Sequence, residues 1–234
     1  MQTLIIDTSG PYTSVALAAE GRLRGYSTQK AAALTHLHPQ IQALLNQLAV
    51  SMDGLERIAV VTGPGSWTGL NIGVTAAKTL AQVLDLPLVP LPTLDALVAV
   101  DLWQKGSVNA VLDGKRNHLY RATFPTAPDG GVLLERVRYD VLTFDALCAA
   151  LAAQEGTPLV VEYGDVFGAK IREALPRAHL QSRPQISREG LLAALAFHES
   201  RFKRGDQIMD VSPWYLQQTL AERDWQKKPG GSSC

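Results

Sequence analysis

IAVVTGPGSWTGLNIGVTAAKTLAQVL, running from Ile58 to Leu84, is the stretch whose reading decides the fold. Ile58, Ala59, Val60 and Val61 form a short apolar run of the kind found in a buried strand. A glycine-rich turn follows, Gly63-Pro64-Gly65-Ser66-Trp67-Thr68-Gly69, and then about four turns of small and apolar residues. Gly69, Gly73 and Ala77 recur at every fourth position and so share one helical face. Interior glycine costs a helix roughly 1 kcal/mol relative to alanine. A helix carrying two of them is expected to have a close neighbour on that face: a phosphate, the rest of the fold, or another protein.

The turn meets neither nucleotide fingerprint. A P-loop needs G-x-x-x-x-G-K-[ST]; here Thr68 stands five residues after Gly63, Leu70 five after Gly65, and the nearest lysine is Lys78. A dinucleotide-binding G-x-G-x-x-G needs glycine where Thr68 sits, and Gly69 comes one residue late. Free amides around Gly65, Ser66, Thr68 and Gly69 can still hold an anion at a helix start. The plainer reading is a tight strand-to-helix turn.

Outward from this stretch the pattern is α/β. Thr3 to Ile6 reads as a strand ending in the polar turn Asp7-Thr8-Ser9-Gly10. Ser14–Ala18 and Leu23–Ser27 read as two more, joined by a hairpin turn at Glu20-Gly21. A first helix is expected from His38 to Val50, with Pro39 in its first turn and Thr35 or His38 preceding it. Leu37, Ile41, Leu44, Leu45 and Leu48 are its apolar stripe. After the central stretch come a short strand, Leu88–Leu91, and a helix capped by Thr93 and running through Val100. Strand, helix, strand, helix at this spacing predicts parallel crossover units.

A second lobe is expected from Ser107, dividing the chain into residues 1–106, 107–217 and a tail over 218–234. Val108–Leu112 and His118–Phe124 read as a hairpin, Val132–Val141 as a strand, Phe144–Ala153 as a helix. Leu159–Gly164 is a strand with a helix beyond it, and Arg188–Lys203 a longer helix ending at Gly205. The apolar Val211–Leu216 is expected to dock on the body. The two lobes share one pattern, which suggests a duplicated architecture with mixed sheets.

Composition narrows the function classes. Lys+Arg and Asp+Glu are both 22, so no basic excess advertises a nucleic-acid binder. Cys148 and Cys234 stand far apart, which is no disulfide framework and no zinc spacing. No run approaches the roughly 20 apolar residues that span a bilayer, and Met1 leads directly into a strand pattern. The expectation is a soluble cytoplasmic protein with no membrane contact.

Each candidate site has a bland counterpart. Asp7, Thr8 and Ser9 can position a metal-bound water or phosphate, or simply bond locally as acidic turns do. His36 and His38 form H-x-H, but zinc needs three or four ligands and none is suitably spaced nearby. His118, His179 and His198 accompany no nucleophile motif. Between Lys170 and Arg204, basic residues outnumber acids, which suits tRNA phosphates or a solvated face. The glycine helix is apolar nearly all round, so it is either wholly internal or covered by the sheet on one side and a partner on the other.

Ile6-Asp7-Thr8-Ser9, the run Gly63 to Gly73, Pro92-Thr93-Leu94-Asp95-Ala96-Leu97, Asp113 to Tyr120 and Pro213-Trp214-Tyr215-Leu216 together resemble the TsaB family (also called YeaZ). The resemblance implies a two-lobed actin/hexokinase/Hsp70-like (ASKHA) fold. It implies a non-catalytic subunit that pairs with TsaD and, with the ATPase TsaE, serves transfer of threonylcarbamoyl to N6 of adenosine 37 in tRNAs reading ANN codons. ATP or ADP is then expected only in the complex, with no cofactor or metal bound firmly. Pairing with TsaD, or self-association as a homodimer, is implied for the helices flanking the central strand. That places Leu37, Ile41, Leu44, Leu45, Leu48, Leu70, Gly73, Val74, Ala77, Lys78 and Ala81 at the interface. On this expectation Val74→Glu or Ala77→Arg abolishes pairing and leaves the monomer folded.

Departures from the resemblance are specific. Thr93 and Leu97 stand where TsaD has a metal-binding H-x-x-x-H. Trp67 and Asn71 stand where TsaB relatives often have Phe and Arg, and Asp113–His118 departs from the usual D-A-R-R-G-E. Two rivals follow: an autonomous kinase or ATPase of the same fold using the Asp7 turn for Mg-ATP, and a metalloprotease-like protein.

Overall fold

Two five-stranded mixed sheets with the same strand order build the computed structural model, which describes residues 1–99, 106–115, 117–128, 131–164, 166–201 and 208–215. The first half runs β1 (Gln2–Asp7), β2 (Thr13–Ala19), β3 (Arg22–Gln29), α1 (Ala33–Gln47), β4 (Arg57–Gly63), α2 (Trp67–Val83), β5 (Leu88–Pro92) and α3 (Thr93–Val98). The second runs β6 (Ser107–Asp113), β7 (Leu119–Pro125), β8 (Arg138–Leu142), α4 (Phe144–Ala152), β9 (Leu159–Tyr163), α5 (Gly168–Ala174), β10 (His179–Arg183) and α6 (Arg188–Glu199).

Sheet order is β3-β2-β1-β4-β5 in the first half and β10-β9-β6-β7-β8 in the second. In both, the opening strand is central, with an antiparallel meander on one side and parallel strands on the other. The duplication expected from pattern is therefore present in the topology.

Strand alternation explains the layers. Leu4, Ile6, Ile58 and Val60 face α1 and α2, while Ile5, Ala59 and Val61 face α3, α6 and the second sheet. Both faces of β1 and β4 are thus buried, which is why they read as unbroken apolar runs. Helices α4 and α5 cover the far side of the second sheet through Leu147, Leu151 and Ile171.

Several elements differ from expectation, each through a tertiary cause. Helix α1 begins at Ala33, so Pro39 lies inside it. Buried Gln40 fixes that half of the helix, its Nε2 donating to the Thr13 carbonyl at 3.1 Å and to Ser27 Oγ at 3.0 Å. Thr93 is the first residue of α3 rather than its cap, and its hydroxyl is buried without a partner. The stretch Val132–Val141 is broken by a 3-10 turn at Leu134–Arg136, and Leu134 is drawn into the core between the sheets. Strand β10 carries too little apolar alternation to be legible and exists by pairing with β9. Val100, Lys203, Arg204, Gly205, Leu216 and the tail lie outside the described residues. No helix among the described residues is long and apolar enough to cross a membrane.

Candidate functional site

The glycine face of α2 is filled by the turn after β1. A β-carbon on Gly65 would stand 2.4 Å from the Ser9 carbonyl oxygen, one on Gly69 2.0 Å from that of Thr8, and one on Gly73 2.1 Å from Thr8 Oγ1. Thr8 Oγ1 donates to the Gly69 carbonyl at 2.7 Å, and the Ser66 amide donates to the Ser9 carbonyl at 2.7 Å. Ser66 caps α2 by accepting the Gly69 amide at 3.2 Å. The close neighbour of the glycines is therefore the chain's own backbone. Of the three neighbours that face allows, phosphate, the rest of the fold or another protein, it is the rest of the fold that occupies it, so the glycines do not make room for a partner.

Asp7 and Ser9 are buried in the same joint. Asp7 Oδ1 accepts the Ser9 amide at 2.9 Å and the Ser9 hydroxyl at 2.7 Å. Burial raises the Asp7 carboxyl above the ordinary carboxylate value. Tyr163, at the end of β9, sets its phenol oxygen 3.3 Å from Ser9 Oγ and 2.1 Å from where a Gly10 β-carbon would be. Burial, and then the charge of Asp7, raise that phenol far above its usual range. This turn is a joint between the two sheets. Its one carboxylate is enclosed and already bonded, an arrangement that does not fit a magnesium–nucleotide site.

Thr93 and Leu97 are buried and offer no imidazole. That donor set does not fit a metal. Among the described residues no group of three His, Cys, Asp or Glu could hold one. His36 and His38 are exposed on α1, and His36 Nδ1 lies 2.8 Å from Thr35 Oγ1. Asp113 is engaged by Lys115 within its own hairpin turn, at 2.5 Å to Nζ and 2.8 Å to the amide. Part of the basic segment is likewise engaged within the chain, half-buried Arg183 donating to the Leu97 carbonyl and exposed Arg177 to that of Ala152.

Helices α1 and α2 lie side by side on the first sheet. Leu37, Ile41, Leu44 and Leu45 of α1, and Leu70, Gly73, Val74, Ala77 and Ala81 of α2, are buried within the chain. Leu48 and Lys78 are half-buried. Val74 is 2% exposed and Ala77 0%. A charge at either would enter the protein's own core, so the expectation that such variants stay folded is corrected. The outward residues of the pair are different ones: Leu34 at 75% exposure, Trp67 at 53%, Val83 at 76%, with Ile72, Thr75 and Thr79 between. Neither helix carries a carboxylate, and Lys78 is the single Lys or Arg on the two. Between the helix heads an open groove of about 540 Å³ is lined by Thr8, Lys30, Leu34, Ser66, Thr68 and Ile72, among others.

The segment from Ile208 to Tyr215 straps the far flank of α2. Lys78 Nζ donates to the carbonyls of Met209 at 3.0 Å and Val211 at 2.9 Å. The Trp214 amide donates to the Thr62 carbonyl at 2.7 Å. Tyr215 stacks on Trp67 with centroids 4.1 Å apart, and Asn71 Nδ2 donates to its hydroxyl at 2.8 Å. The unusual Trp67 and Asn71 thus have a shared partner. Trp214 meets Tyr139 edge-on, Tyr139 donates to Asp95, and His198 Nε2 lies 3.0 Å from the other Asp95 oxygen. Asp95, Tyr139 and Tyr163 are not among the candidate site residues of the sequence, and His198 is there only as a histidine without a nucleophile motif. They come from four different elements, and no local spacing signals them.

A family model described as TsaD, tRNA N6-adenosine threonylcarbamoyltransferase, matches residues 29–130. The chain is 33% identical over 150 residues to the tRNA threonylcarbamoyladenosine biosynthesis protein TsaB of Bacillus subtilis, covering 57% of this chain and 63% of that protein. It is 32% identical over 142 residues to the protein of the same description in Haemophilus influenzae, covering 58% and 56%. The matched region thus spans less than two thirds of either curated relative. The solved structure of YeaZ from Pseudomonas aeruginosa superposes with a TM-score of 0.73 at 22% identity, covering 92% of this chain and 99% of that one. The fold is of the two-lobed ASKHA-like α/β type.

Proposed function

We propose that this chain acts as a TsaB-type protein, serving synthesis of threonylcarbamoyladenosine in tRNA as a non-catalytic subunit that docks a TsaD-type transferase on the outer face of α1 and α2. The observation that carries this reading is the charge of that face. Helices exposed to water normally bear Asp, Glu, Lys and Arg on their outer side. Here two adjacent helices have one such residue between them, and its ammonium is engaged on backbone carbonyls. Depletion of charge with retained apolar side chains is the signature of a protein interface core. Contact with phosphates would call for the opposite composition.

A matched helix pair supports the choice of partner. The TsaD description fits residues 29–130, the stretch that contains α1 and α2. A transferase of that family therefore brings a comparable pair, and two such pairs can meet face to face. The same geometry allows a second copy of this chain to take the partner's place. On this reading TsaE and tRNA join through the assembled complex. ATP or ADP also belongs to the complex, where the groove between the helix heads offers Lys30 and the Thr68 hydroxyl to an anion.

Neither rival draws support from the geometry. A kinase would need the Asp7 turn open, and a metalloprotease would need ligands at Thr93 and Leu97. The test is reconstitution: tRNA, transferase, ATPase and threonylcarbamoyl adenylate are held constant, with and without this chain. Modification that depends on the chain, and that Val83→Glu abolishes, bears the proposal out. Full modification in its absence, or turnover of ATP by the isolated chain at a comparable rate, refutes it.

A further inference from the structure

Lys78 is the one formal charge on the helix pair, and its contacts lead to a second inference, which rests on the docking reading above. We propose that Ile208–Tyr215 is a third part of the docking surface: a strap that Lys78 and Asn71 hold on α2, masking the ammonium and adding Met209 to the apolar face.

The strap is pinned at both ends along one stripe of α2. Trp67, Asn71 and Lys78 lie four and seven residues apart, so they point to the same side of the helix. Trp67 and Asn71 take Tyr215 at one end, and Lys78 takes the carbonyls of Met209 and Val211, two residues apart, at the other. Ile208 and Val211 pack into the core that α1 and α2 share with the first sheet, and Val211 is 8% exposed. Met209, between them, remains 67% exposed. Anchored, exposed, anchored is the pattern of a segment fixed in place with one apolar side chain left for contact. Of the six described large apolar residues that stay exposed, four, Leu34, Trp67, Val83 and Met209, belong to α1, α2 or this strap; Met1 and Val166 lie elsewhere. Methionine suits such a place, since its flexible thioether adapts to a partner's contour.

An ammonium left on this face would have to be desolvated without a counter-charge when a partner docks, which is costly. Two backbone carbonyls inside the chain satisfy it beforehand. The surface thus calls for an uncharged helical face, and the occupant assigned to it is a TsaD-type chain, whose family model matches the stretch that holds α1 and α2.

The test uses the full chain and the purified tRNA N6-adenosine threonylcarbamoyltransferase of the same organism. Affinity is read by calorimetry, and strap order by amide hydrogen exchange over residues 208–215. Lys78→Met keeps the aliphatic stem and removes both hydrogen bonds. It is expected to speed exchange in the strap and to weaken binding about tenfold, with Lys78→Arg restoring both. Met209→Asp is expected to keep the strap protected and to weaken binding by a similar factor. Unchanged exchange in Lys78→Met, or unchanged or tighter binding in either variant, overturns the proposal. Val83→Glu reports on the helix pair alone: if it leaves affinity intact, the docking reading itself fails, whatever the strap does.

Discussion

Thr8 and Gly69 are packed so closely that a β-carbon on residue 69 would lie 2.0 Å from the Thr8 carbonyl oxygen. The Thr8 hydroxyl donates to the Gly69 carbonyl across the same gap. This contact seats α2 on the end of β1 and accounts for a glycine inside a helix that would otherwise prefer alanine.

Gly69→Ala is accordingly a destabilising change despite its favourable propensity. Alanine gains about 1 kcal/mol in helix preference, whereas forcing a methyl group against backbone costs about 3 kcal/mol or more. Urea unfolding at neutral pH should show a net loss of about 2 kcal/mol. Gly190→Ala, whose β-carbon would lie 2.3 Å from the Ala96 carbonyl oxygen, should behave alike. A neutral or stabilising Gly69→Ala would contradict the seating of α2.

Asp7 gives the fold a pH dependence with a defined sign. Its carboxyl is raised above 3.8 in the folded chain by burial, against which the two Ser9 bonds act only partly. The folded state therefore holds this proton more tightly than the unfolded state. The corresponding stability is present below the unfolded value near 3.8 and is lost as pH rises through the folded value. Asp7→Asn retains an acceptor for Ser9 and removes the titration. Denaturation followed from acidic to neutral pH should show a shallower loss of stability in the variant than in the parent protein.

Val74→Glu and Val83→Glu should separate folding from docking. The first places a carboxylate where 2% of the side chain is exposed and should cost on the order of 4 kcal/mol. The second lies at 76% exposure and should leave the melting temperature within a degree or two. Circular dichroism melts with size-exclusion co-elution of the transferase distinguish them: Val74→Glu fails both, Val83→Glu only the second.

Asp95 is the hub joining α3, β8 and α6. Removing the hydroxyl with Tyr139→Phe deletes one donor and should cost about 1.5 kcal/mol. Asp95→Ala strands both Tyr139 and His198 and should cost roughly twice as much. Since Trp214 rests edge-on against Tyr139, its fluorescence should shift in the second variant more than in the first.

Much of the fold was legible because its signals are local. The β2–β3 turn at Glu20-Gly21 has positive φ at both residues, as the hairpin pattern requires. Strands β1 and β4 announced themselves as apolar runs because both of their faces are covered. Strand β10, HLQSR, was missed because one partner strand and not its own pattern makes it a strand. The start of α1 was misplaced because Pro39 is a strong local cue, outweighed by Gln40 bonding to β2 and β3.

The sequence by itself determined the alternation of strand and helix, the absence of both nucleotide fingerprints, and the near absence of charge from α1 and α2. These are properties of residue type and spacing. Only the tertiary structure decided what the glycines of α2 face, because Thr8 and Ser9 reach them from about sixty residues away through β1–β4 pairing. Only it decided which side of α2 is free, since an apolar helix looks alike all round until a sheet takes one side and the Ile208–Tyr215 strap another. Burial is a property of the assembled layers, and it moved the candidate contact from Val74 and Ala77 to Leu34, Trp67 and Val83.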